Sequence, residues 1–220
     1  MKKLTLQEKQ HTADALLRRI NALHKPGETV RLMEVCGTHT VSIFREGLRQ
    51  LLPSGIELVS GPGCPVCVTD QTYMDKALAY AEREDVIIAT FGDMLKVPGS
   101  YSSLNEAQTK GAHIHVIYTP LEVIELSKKY SEKKIVFLAI GFETTIAIIC
   151  ATVKAVHAAG LKNVFFLVSH KLVPPALRAL LDKQEGHIDG FILPGHVSVI
   201  IGEEPYRFLP KEYGIPSCIA

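Results

Sequence analysis

The feature that most limits the fold of this chain is a sustained exchange of short apolar runs with amphipathic stretches from Arg31 onward. Seven runs have strand length: RLMEVC (31–36), IELVS (56–60), DVIIATF (85–91), HIHVIY (113–118), KIVFLAI (134–140), NVFFLVS (163–169) and GFILP (190–194). Between them lie helical patterns such as VSIFREGLRQLL, YMDKALAYAERE, PLEVIELSKKY and TTIAIICATVKAVHAAG, the last stopping at Gly160. Strands alternating with helices build βαβ units and mostly parallel sheets. The expected class is therefore α/β, in two Rossmann-like halves with a site at the C-terminal ends of the strands. An N-terminal helix over 1–24 is expected to precede a first α/β domain at 25–119, holding the cysteine motifs. A second, at 120–220, holds GFETT and PGHVS.

A length of 220 residues suits one large domain or two small ones at about 150 residues per domain. With 47% hydrophobic residues, 21% charged residues and a net charge of +1, the composition is that of an ordinary globular protein and makes no electrostatic case for nucleic acid. The N-terminal segment is interrupted by Glu8, Lys9, His11 and Asp14 and lacks the apolar core of a signal peptide. IVFLAIGF and VFFLV are too short to span a membrane. A cytoplasmic protein without a membrane or nucleic-acid partner is expected. Five cysteines is an odd number, and in a reducing compartment clustered thiols bind metal or do redox chemistry. Cys36, Cys64 and Cys67 cluster in sequence, whereas Cys150, within the apolar TTIAIICATV, reads as an inert buried thiol.

Ligands of parallel α/β sheets gather at the carboxyl ends of strands. Here the first strand runs into CGTHT, the second into GPGCPVC, the third into GD, the fifth into GFETT, the sixth into SHK and the seventh into PGHVS. In CGTHT, Cys36 closes the strand, Gly37 permits a turn, and Thr38 or Thr40 can cap the next helix. Cys36, with His39 three residues on, is then a candidate ligand or nucleophile; otherwise it is a buried cysteine before a routine turn. In GPGCPVC, Gly61 and Gly63 are expected to supply positive φ and Pro62 and Pro65 stiffness, holding Cys64 and Cys67 at a spacing shared by redox pairs and metal knuckles. A closed zinc site needs four ligands, and Cys36 with His39 could complete one. Glu143 either caps the helix it opens or moves a proton beside a metal. His170 and His196 are candidate ligands or proton donors against a plain structural role, and His113 and His115 share a strand face. There is no P-loop and no GxGxxG, and the glycine before Asp93 does not replace one.

In this order and spacing, CGTHT, GPGCPVC, GFETT and LPGHVSVIIG resemble the HypD family of [NiFe]-hydrogenase maturation factors, from about Arg31 to the end. The resemblance implies a scaffold that, with a HypC-like small chaperone, holds the iron on which the Fe(CN)2CO group is assembled, cyanide arriving from a HypE-like partner. It implies that Cys36 is the iron ligand, that Cys64 and Cys67 are metal-facing thiols exchanging electrons with a [4Fe-4S] cluster, and that His39 and Glu143 line the site. Iron with cyanide and carbonyl ligands suits thiolate ligation, and a dithiol supplies two electrons by closing to a disulfide. The family's cluster cysteines lie beyond this sequence; Cys150 and Cys218 cannot supply four ligands. The expectation is a fragment or short form without that region. A thiol-disulfide oxidoreductase, with Cys64 attacking and Cys36 incidental, and a zinc-stabilised binding module remain alternatives.

Overall fold

The computed structural model describes residues 5–183 and 186–220. Among these residues the strands are β1 (Val30–Glu34), β2 (Ile56–Ser60), β3 (Val86–Thr90), β4 (Ile114–Val116), β5 (Lys134–Gly141), β6 (Val164–His170), β7 (Gly190–Leu193) and β8 (Ser217–Ile219). The helices are α1 (Leu6–Leu23), α2 (Gly37–Arg45), α3 (Leu48–Leu51), α4 (Gln71–Ala81), α5 (Leu104–Thr109), α6 (Glu122–Lys129), α7 (Glu143–Ala158), α8 (Val173–Asp182), α9 (Gly195–Ile201) and α10 (Phe208–Glu212). All seven expected strands are present. VSIFREGLRQLL is not one helix: Gly47, at φ +63°, turns the chain between α2 and α3.

The strands form two four-stranded sheets, ordered β2-β1-β7-β8 and β4-β3-β5-β6, with every pairing parallel. Each has the same topology. The first strand in chain order lies second from one edge, the next strand lies outside it, and the remaining two follow on its other side. Two Rossmann-like halves are therefore present, but they divide the chain differently from the expected boundary near 119. One compact unit comprises the residues up to Gly63 together with Leu177–Ala220, and the other is Cys64–Ala176. The expected cut would separate β3 and β4 from β5 and β6, their partners in one sheet. The reason is physical: periodicity reports whether a segment is a strand, not which strand it pairs with.

In the second unit all of β3 is buried, as is β5 from Ile135 to Gly141. Ile88 and Leu138 pack on one face with Met74 and Leu78 of α4 and Leu104 of α5. Ile87 and Phe137 pack on the other with Val123 of α6 and Ile149 and Val156 of α7. A sheet covered on both faces needs continuous apolar strands, which is how these segments read. The core of the first unit includes Val35, Leu177, Phe191 and Leu209. Cys150 is not the buried thiol expected: α7 buries Ile149, Thr152 and Val156, and Cys150, about 100° round the helix from Ile149, is exposed. Among the described residues, no helix is long and apolar enough to cross a membrane.

Asn163, just ahead of β6, ties that strand to the end of α6. Its amide nitrogen lies 3.2, 3.3 and 3.0 Å from the carbonyl oxygens of Ser127, Tyr130 and Lys133, and its Oδ1 accepts from the Ser127 hydroxyl at 2.5 Å. Asn163→Ala leaves that buried hydroxyl and those carbonyls short of partners, so a loss of about 3 kcal/mol is expected in urea unfolding. An unchanged midpoint would show that the knot contributes nothing.

Candidate functional site

In each sheet the chain reverses its direction of growth between the first and third strands, and the crevice beyond those strand ends is where α/β sheets receive ligands. In the first unit the crevice is flanked by the loops after β1 and β7, CGTHT and PGHVS. In the second it is flanked by those after β3 and β5, FGD and GFETT.

β1 ends at Glu34, so Cys36 lies two residues beyond the strand instead of closing it. Cys36 is the N-cap of α2, in extended backbone at φ −163° and ψ 128°, and its side chain makes no capping hydrogen bond. The capping expected of Thr38 or Thr40 does not occur. Thr40 instead donates its hydroxyl to Glu34 Oε1 at 2.6 Å, while Glu34 Oε2 accepts from the Cys36 backbone N–H at 3.4 Å. Glu34 is buried, and sequence reasoning passed over it; an acid next to the end of the apolar run RLMEVC was the available signal. His39, on the same turn, has Nε2 3.1 Å from the Ala220 carbonyl, which also accepts Gly195 N–H at 2.9 Å. The other ring nitrogen, Nδ1, is buried without a hydrogen-bond partner. His196 is exposed at the start of α9.

The chain leaves β2 with Gly61 and Gly63 paired to the end of β1 and the residues after it. Gly61 N–H donates to Glu34 O at 2.8 Å, and Gly37 N–H donates to Gly63 O at 3.2 Å. Neither Gly61 nor Gly63 has positive φ, which corrects the reason expected for them. What they supply is clearance. A Cβ on Gly63 would lie 2.5 Å from Cys36 Cα and 2.8 Å from the Val35 carbonyl carbon, and one on Gly61 would lie 2.7 Å from Met33 Cγ and Sδ. In the second unit, Cys64 Sγ accepts the Cys67 backbone N–H at 3.3 Å. The hydrogen bond with Cys64 pushes the Cys67 thiol pKa up, and burial and the nearby Cys64 charge add to it. Asp70 accepts Thr72 N–H at 2.8 Å and so caps α4 directly after this loop.

Glu143 does not cap its own helix. Its buried carboxylate accepts Val173 N–H at 2.8 Å through Oε1, holding the start of α8, and its Oε2 is buried without a partner. His170 closes β6 with Nε2 3.4 Å from Thr145 Oγ1, and burial lowers its pKa. His113 is exposed ahead of β4, and the His115 ring centroid lies 5.7 Å from that of Tyr130, so these two serve the sheet edge. Among the described residues, no group of three or more His, Cys, Asp or Glu is placed to hold a metal ion.

A family model described as HypD, the hydrogenase formation hypA family, matches residues 11–220. The chain belongs to the HypD family. Among its HypD relatives, the hydrogenase maturation factor HypD of Rhodobacter capsulatus is 44% identical over 191 residues, covering 87% of this chain and 51% of that protein. The Escherichia coli K12 factor of the same name is 40% identical over the same coverage. A protein of Methanocaldococcus jannaschii named as a putative hydrogenase expression/formation protein is 41% identical over 203 residues, 92% of this chain and 56% of its own length. The chain spans about half the length of these HypD relatives.

Gly63→Ala is expected to destabilise by about 1–3 kcal/mol, because backbone must move to admit the methyl group. Gly37→Ala, whose Cβ would meet only Gly63 O at 3.8 Å, should be nearly neutral. Equal thermal melting of the two variants would refute the close-approach account. His170 has a folded-state pKa below its unfolded value, so the unfolded chain takes up more protons in mild acid. Its contribution to stability is complete above about pH 6.5 and is lost as the pH falls through the lower, folded value. In His170→Gln, stability measured across that window should fall less steeply than in the wild type.

Proposed function

We propose that this chain acts in hydrogenase maturation as a thiolate scaffold for iron, with Cys36 as the ligand and Cys64 and Cys67 as the redox pair. The observation that supports this most is the state of Cys36. It occupies a helix N-cap, yet its sulfur makes no capping hydrogen bond, and the turn is held by Glu34 and Thr40. A half-buried, uncommitted sulfur on a braced turn fits a soft metal ion. The names of the relatives support a role in hydrogenase maturation, and within that role the cargo we propose is the iron on which the Fe(CN)2CO group is built.

The remaining residues have roles in the same reading. Cys64 Sγ receives an N–H from Cys67, an arrangement that suits a reversible dithiol, and closing it to a disulfide releases two electrons and two protons. Those electrons are exchanged with a [4Fe-4S] cluster. Cys150 on α7 and Cys218 on β8 are the cysteines left over, two against the four such a cluster takes. His39, with a spare ring nitrogen three residues from Cys36, tunes the site. Glu143 offers an unpartnered oxygen for a proton while supporting α8. The partners are a HypC-like chaperone and a HypE-like cyanide donor, the setting is the cytoplasm, and the role is that of an assembly scaffold rather than a conventional enzyme. The Cys64–Cys67 contact also favours a second reading, a thiol-disulfide oxidoreductase in which Cys36 is incidental.

Anaerobic titration with Fe(II) separates these readings. Cys36→Ser, nearly isosteric but a far poorer ligand for soft iron, should lose stoichiometric iron while melting at the wild-type temperature. Wild-type iron content in that variant would sink the assignment. Stoichiometric zinc in the purified protein would favour a zinc-stabilised module, and a metal-free protein with a titratable dithiol would favour the oxidoreductase.

A further inference from the structure

We propose that Glu34 is the positioning residue for Cys36: from the strand behind, its carboxylate ties the Cys36 N–H to the Thr40 hydroxyl and so fixes the turn on which the uncommitted cysteine sulfur sits. The inference rests on the reading of Cys36 as the metal-binding thiolate.

In an ordinary capping box, the N-cap side chain accepts an N–H from the first turn, and a Glu at the third helical position accepts the N–H of the N-cap residue. In α2 neither half is available. The N-cap is a cysteine, whose sulfur is a weak acceptor, and the third position is His39, whose ring meets the Ala220 carbonyl. Glu34 replaces the second half and adds a tie to a side chain on the first turn. Its Oε2 accepts the Cys36 N–H at 3.4 Å, and its Oε1 accepts the Thr40 hydroxyl at 2.6 Å, so one side chain spans the first turn from cap to fourth residue. The backbone oxygen of the same residue accepts Gly61 N–H at 2.8 Å, linking the brace to the start of GPGCPVC.

The placement is costly in a way that calls for a reason. Glu34 is only 1% exposed and lies between the buried Met33 and Val35, and no ion pair involves it among the described residues. Burying a carboxylate without a basic partner disfavours folding unless its oxygens are well used. An apolar residue would pack there but would brace neither Cys36 nor Thr40. The consequence is a cysteine fixed in backbone and free in side chain, which is what a terminal metal ligand requires.

The test uses the full chain and Fe(II) alone under anaerobic conditions. Thr40→Val removes the hydroxyl while keeping the shape, and should weaken Fe(II) binding about tenfold, the value of one lost hydrogen bond. Thr40→Ser restores the hydroxyl and should bind like the wild type. Glu34→Gln can still accept from Cys36 N–H while donating to the Thr40 oxygen, so it too should stay close to wild type. A second readout does not depend on iron: the rate at which iodoacetamide alkylates Cys36 relative to the exposed Cys150 and Cys218 of the same molecule, mapped by peptide mass spectrometry. This ratio should rise severalfold in Thr40→Val and not in Thr40→Ser, whereas general loosening of the fold would not distinguish the two variants. Unchanged alkylation and iron binding in Thr40→Val would overturn the proposal. Loss of iron in Glu34→Gln with Thr40→Val intact would also overturn it, by assigning the effect to charge. If the wild type and Cys36→Ser bind Fe(II) alike, the metal reading fails, and the alkylation ratio alone decides whether Glu34 positions Cys36.

Discussion

The parallel pairing of β1 and β2 does not stop where the strands stop. Gly61 N–H to Glu34 O and Gly37 N–H to Gly63 O carry it three residues further, into the two segments that hold the thiols of interest. Backbone at this separation leaves no room for a β-carbon at residue 63, so glycine there is a steric requirement of the pairing. Other features follow from the same contact. The Cys36 turn is braced by Glu34, and Gly61 and Gly63 pair with Glu34 and Gly37 beside it.

The two units share one topology, although no repeat is detectable in the sequence. Their agreement lies in strand order and in what each strand end delivers, and neither is a property of local composition. The candidate segments flank the reversals of both sheets: Cys36 and Gly195 in one, Gly92 and Glu143 in the other. In the second unit, strands buried on both faces have no lateral surface for polar chemistry, so the reactive side chains collect at their ends.

Much of this is legible in the sequence. The seven strands, the position of α7 and its stop at Gly160, and the concentration of Cys, His and acid residues at strand ends follow from periodicity and turn chemistry. What escaped was non-local. The division of the chain depends on β7 returning beside β1, which no window around either segment reveals. Cys150 looked buried because its surroundings are apolar, but α7 has an apolar outer face as well, with Ile148 and Val153 partly exposed. The sequence leaves Glu143 between capping its own helix and moving a proton, and does not show that it holds Val173, thirty residues away. Glu34 drew no notice because an acid within an apolar strand carries no motif, and its partners become apparent only when α2 folds back over the strand end.

The central proposal is that Cys36 offers its sulfur as a ligand to iron bearing cyanide and carbonyl ligands. Infrared spectroscopy tests it most directly, because those ligands absorb where protein does not. The chain co-purified anaerobically with a HypC-like small chaperone, the partner proposed above, is predicted to show cyanide and carbonyl bands that vanish in Cys36→Ser and persist in Cys150→Ser. Bands of equal intensity in the Cys36→Ser complex would contradict the account.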